Sequence, residues 1–217
     1  MKCITVGILL IAGVATNVVH AQFGVPWDRV PQITVISAAG DGRLGDVDEA
    51  VSFWNRTLQE LGSGFRLGPV TRVTAPIPEE ALQSLSHLVV DGRRGAVPVP
   101  QVLRDLPGDL TILLGESEFV SFAGRFDADG KRVVGIRGAN FPPMNQPNVA
   151  RNVIAHEIGH AIGLGHNSDS SKLMCGRPAA CRPADFRSNQ SRLFPLTDDE
   201  MRQLVGLYPP DWKSKSR

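Results

Sequence analysis

One run of residues constrains this chain more than any other: His156-Glu157-Ile158-Gly159-His160-Ala161-Ile162-Gly163-Leu164-Gly165-His166. His156 and His160 are four positions apart. On a helix both imidazoles share a face, about 6 Å apart along the axis. Rings at that spacing can close on one zinc ion at about 2.0–2.1 Å each. His166, six positions beyond His160, cannot join them from a straight helix. The chain must turn back, and Gly163 accepts the positive φ that such a turn needs. A site of His156, His160 and His166 leaves a fourth coordination position open, the mark of a catalytic zinc and not of a closed structural one. Glu157 can take a proton from the activated water without being a ligand itself.

The rest of the chain fits an exported globular protein. Its 217 residues and 42% hydrophobic content allow one domain with a substantial core, and a formal net charge of +1 gives no reason to expect nucleic acid as a partner. Residues 1–21 stand apart in composition. Lys2 is their one formally charged side chain, an apolar run extends from Cys3 to Ala15, and Val19-His20-Ala21 supplies small residues before a cut. This pattern predicts a secretory signal peptide removed after Ala21. The run is shorter than the roughly 20 residues of a membrane span, so no stable membrane anchor is expected. The mature protein would be secreted or periplasmic. It would keep two cysteines, Cys175 and Cys181, whose spacing in an exported chain favours one small-loop disulfide over two free thiols.

Hydrophobic periodicity gives a mixed order of elements. Strands are expected at Gln32–Ser37, Phe65–Val73 and Leu110–Leu114, and again at Glu118–Phe126 and Arg132–Arg137 around the turn signal Asp127-Ala128-Asp129-Gly130. Helices are expected over Val47–Leu61, from Pro78 through Val89, and from about Val149 to Ile162. Thr197-Asp198-Asp199-Glu200 reads as a capping box opening a last helix that stops near Tyr208-Pro209-Pro210.

The extended histidine motif resembles that of the metzincin zinc peptidases. Downstream, Leu173-Met174 lies at the spacing of the turn methionine in the matrixin branch, the one that includes the matrix metalloproteinases. The segment from Leu196 to Tyr208 is similar to the last matrixin helix, with Asp199 at the first of the family's two aspartate positions and Glu200 replacing the second aspartate. Pro26-Trp27 and Trp54 resemble the opening of such a catalytic domain. The resemblance implies an α+β metzincin fold: a twisted, mixed five-stranded sheet with long helices in an upper lobe, about 22–165, and a small C-terminal lobe, about 166–217. It implies one catalytic Zn2+ on His156, His160 and His166, Glu157 as general base, and Met174 as an apolar floor beneath the metal. An extended protein or peptide substrate would pair with an edge strand, expected at Ser117–Arg125.

Several residues depart from the family pattern. Asn167 stands where matrixins usually have Ser, and Cys175-Gly176 where they usually have Tyr-Pro. Tyr208 is the single tyrosine, so the tyrosine switch of the astacin-like branch is absent. His87 is the one histidine left outside the motif after processing, so a second zinc is not expected. Calcium at Asp127 and Asp129 is a weaker expectation than a plain hairpin turn. A Cys175–Cys181 bridge would pin residues 176–180, which in matrixins wall the pocket for the side chain after the scissile bond. The expected activity is therefore that of a secreted zinc-dependent endopeptidase, monomeric, with the matrixin pro-domain and its inhibitory cysteine not recognisable. The alternatives are a zinc hydrolase of a non-protein amide and a non-catalytic secreted binding protein. Asn55-Arg56-Thr57 and Asn189-Gln190-Ser191 are glycosylation sequons.

Overall fold

The computed structural model describes residues 24–90, 100–125, 130–176, 181, 188 and 190–216. The expected signal peptide, the calcium candidates Asp127 and Asp129, and Asn189 lie outside the described residues. The elements run in the order β1 (Ile33–Ser37), α1 (Leu44–Glu60), β2 (Val70–Thr74), α2 (Glu79–Val90), α3 (Gln101–Arg104), β3 (Leu110–Leu114), β4 (Phe122–Arg125), β5 (Arg132–Ile136), α4 (Pro147–Ala161) and α5 (Asp198–Leu207). The five strands form one mixed sheet in the order β2-β1-β3-β5-β4. All neighbours are parallel except β4, which runs antiparallel to β5 along the edge. This is the α+β architecture that the sequence implies.

The sheet is covered on both faces, which explains why β1, β3 and β5 are buried at every position. Ile33, Val35, Leu110, Ile112, Val134 and Ile136 point toward the core shared with α1 and α4. The alternate residues Ile36, Leu113 and Val133 join Leu82 and Leu85 of α2 in a second cluster. Helix α4 is buried on nearly all sides, as a helix running through a core must be. Trp54 of α1 is wholly buried and donates its indole N–H to Ala155 O of α4 at 2.9 Å. The larger core therefore braces the helix one residue before His156.

Two strand boundaries differ from the sequence reading, for a common reason. The second strand starts at Val70 and not at Phe65. Asn55 donates to Leu67 O at 3.1 Å and accepts from Leu67 N at 2.7 Å, and Ser63 Oγ accepts from Phe65 N. Side chains thus satisfy backbone that a strand would have paired, and Phe65 stacks on Tyr208 at 4.1 Å between ring centroids. Asn55 is consequently a structural amide, and a glycan on its nitrogen would disturb the bond to Leu67. The fourth strand starts at Phe122 and not at Glu118. There Glu79 accepts from the backbone N–H groups of Glu116 and Ser117, and Ser86 Oγ bonds both polar backbone groups of Val120. The capping box at α5 has both of its bonds: Glu200 N donates to Thr197 Oγ1 and Thr197 N to Glu200 Oε2.

Candidate metal centre

Helix α4 opens at Pro147, where a missing N–H costs nothing, and carries His156, Glu157 and His160. It ends at Ala161, and Gly163 comes two residues later at φ +105°. The positive φ redirects the chain so that His166 returns to the two helical histidines. The ring nitrogens of the three residues lie within 4.8 Å of one another. His156 Nε2 is 3.2 Å, and His160 Nε2 2.9 Å, from His166 Nε2. Nitrogens sharing one tetrahedral zinc at about 2.0–2.1 Å would lie about 3.3–3.4 Å apart, so the donor set fits the ion.

Backbone carbonyls fix the chemistry of two rings. His156 Nδ1 faces Leu173 O at 2.8 Å, and His160 Nδ1 faces Leu164 O at 2.8 Å. A carbonyl only accepts, so each Nδ1 carries the proton and each Nε2 keeps its lone pair for a metal. Burial pushes the His160 pKa well below its ordinary value, and the neighbouring His156 and His166 push it the same way. Both effects favour the neutral imidazole that ligation requires. Glu157 is buried on α4. It shares a helix face with His160, three positions on.

The segment beneath the histidines is held as closely as the ligands. Met174 is wholly buried. A side chain at Gly159 would meet Met174 and Trp54, so this glycine is what lets α4 settle on the methionine. Cys175 and Cys181 form a disulfide with Cα atoms 5.7 Å apart. Asn167 N donates to Met174 O at 2.9 Å and Gly176 N to Asn167 O at 3.0 Å, tying the segment after His166 to the methionine turn.

Sequence reasoning did not anticipate three contributors. The orienting carbonyls of Leu173 and Leu164 have no side-chain signature. Gly176 has one, its identity: a Cβ there would overlap the His166 ring. Asn167 and Glu200, noted as separate departures from the family pattern, meet at 2.6 Å through Asn167 Nδ2 and Glu200 Oε1. Because Glu200 also closes the α5 capping box, this one carboxylate links the start of the last helix to the residue after the third histidine.

Residues 108–208 match the family model described as Matrixin, Peptidase M10. The matched span holds β3, the three histidines, Glu157, Met174 and both cysteines. Among solved structures the chain is similar to archaemetzincin from Methanopyrus kandleri, with a TM-score of 0.45 and 19% sequence identity over 81% of this chain and 94% of that one. No curated protein matches the chain.

Proposed function

We propose that this chain, matrixin in type over residues 108–208, is an exported zinc endopeptidase with Glu157 as its general base. The observation that carries the reading is the convergence of three Nε2 donors, two of them oriented by Leu173 O and Leu164 O. A zinc ion bound there supplies Lewis acidity and brings the pKa of its water toward about 7. The Glu157 carboxylate accepts a proton as water attacks the scissile carbonyl and delivers it to the leaving amine. The substrate would lie extended in a cleft between an upper lobe ending near Gly165 and a smaller C-terminal lobe. Its backbone would pair with β4, the antiparallel edge of the sheet. Among the described residues no helix is long and apolar enough to cross a membrane. The reading places the mature enzyme outside the cytoplasm, as a monomer, after loss of residues 1–21.

The direct test is metal content together with cleavage of an unstructured protein such as casein. One zinc per chain is expected, with cleavage lost on chelation and regained on adding zinc. A protein that takes up no zinc refutes the reading. One that holds zinc yet cleaves neither casein nor a broad peptide library would be a non-protein amidase or a binding protein instead.

The disulfide has its own expected outcome. It closes a short loop, worth about 2 kcal/mol in chain entropy at most, so its main effect is on shape. Reduction should change kcat/KM severalfold among peptides that differ in the side chain after the scissile bond, at temperatures where the domain stays folded. Unchanged peptide kinetics in the reduced protein would show that the loop does not form the pocket rim.

A further inference from the structure

The last carbonyls of a helix have no donors within it, and in a core they must find donors elsewhere. At the end of α4 the last carbonyl, that of Ala161, and the carbonyls of the turn that follows find them from four directions. Ala161 O accepts from Trp27 Nε1 at 2.9 Å and from Arg132 Nη1. Ile162 O accepts from Tyr208 Oη at 2.9 Å. Gly163 O accepts from Gly24 N at 2.8 Å and Gln203 Nε2 at 3.2 Å. Leu164 O accepts a hydrogen bond from His160 Nδ1 at 2.8 Å. These four residues are the turn between the second histidine and the third. Its shape decides both how His160 is rotated and where His166 arrives.

Arg132 is the unusual member of this set. It is the first residue of β5 and only 5% exposed. Its other terminal nitrogen donates to Val25 O at 2.8 Å, and its guanidinium carbon lies 4.1 Å from the centroid of the Trp27 ring. The charge is thus held by Ala161 O at the negative end of the α4 dipole, by Val25 O and by an indole face. Burying a cation is costly, and an apolar side chain of similar length would fill the same space without that cost. What such a side chain could not do is donate in two fixed directions at once.

We propose that Arg132 is a positioning residue for the metal centre: by joining Ala161 O to Val25 O and clamping Trp27, it fixes the turn that aligns His160 and delivers His166. The inference rests on the three histidines holding the metal.

Zinc affinity, measured by competition with a chromogenic chelator below the melting temperature of every variant, tests it. Arg132→Met should raise the zinc dissociation constant about 10–100-fold, the usual cost of losing a group that orients ligands. Arg132→Lys, which keeps the charge but not the fork, should recover part of the loss. Trp27→Phe removes one donor to Ala161 O and should weaken zinc in the same direction, which keeps the idea testable if Arg132→Met fails to fold. Arg43→Met is the control. Arg43 is equally buried and bonds Gly115 O and Arg137 O, away from the end of α4. Its loss should lower the melting temperature while zinc affinity stays within about twofold of native. Native-like zinc binding by Arg132→Met, or by Trp27→Phe where Arg132→Met does not fold, would overturn the proposal. So would an equal loss of affinity in Arg43→Met. A native protein that binds no zinc would overturn this inference together with the peptidase reading, so the two failures are distinguishable.

Discussion

Glu157→Ala should leave one zinc per chain and lower kcat/KM by about 10²–10⁴-fold or more, the range over which a positioned general base contributes. The three Nε2 donors are all histidine atoms, and the two orienting bonds, to Leu173 O and Leu164 O, use no atom of Glu157. Alanine is also the best helix former, and α4 should accept it without unwinding. The variant therefore separates metal binding from proton transfer. His156→Ala and His160→Ala make the contrast, because each removes a ligand together with its carbonyl-bound Nδ1–H; both should lose zinc and turnover together. Metal analysis, far-UV circular dichroism and peptide kinetics on the same preparations read all three. A Glu157→Ala protein that keeps turnover within about tenfold of native would remove Glu157 from the role of base.

How much of this is legible in the sequence depends on the range of the forces involved. The histidine motif is readable because ligation geometry and helix geometry share a period, and Gly163 because one backbone conformation has few residues that can take it. The capping box at Thr197 and Glu200 is readable because both of its bonds span three residues. The strand at Leu110–Leu114 announces itself by an unbroken apolar run. The starts of β2 and β4 do not. They are set by Asn55, Ser86 and Glu79, which reach 12 to 38 positions along the chain to claim backbone groups. The same holds at the metal centre. Its three histidines are local in sequence, whereas the turn that positions them is held by Trp27 and Tyr208, 181 positions apart. No periodicity encodes that meeting. The Asn167–Glu200 pair shows how far a family pattern leads: each residue is visible as a departure, but only the fold shows that the two departures touch.

Gly176→Ala should weaken zinc binding about 10–100-fold while the domain stays folded. The Cβ would occupy space now filled by the His166 ring, so either the ring or the backbone must yield. The backbone is pinned on the N-terminal side of Gly176. Gly176 N is bonded to Asn167 O, Met174 O holds Asn167 N, and the neighbouring Cys175 is locked by the disulfide and follows a wholly buried methionine. His166 lies at the open side of the site and is the most exposed of the three histidines, so the ring is what moves. Moving it leaves His156 and His160 with their carbonyl partners but without the third donor, and a two-histidine site holds zinc far less tightly. Gly206→Ala provides the control: nothing lies within 4 Å of a Cβ at that position in α5, and replacing a helical glycine by alanine should add up to about 1 kcal/mol of stability with zinc unchanged. If Gly176→Ala binds zinc as the native protein does, the turn after Met174 yields more readily than its bonds imply, and Gly176 does not set the position of His166.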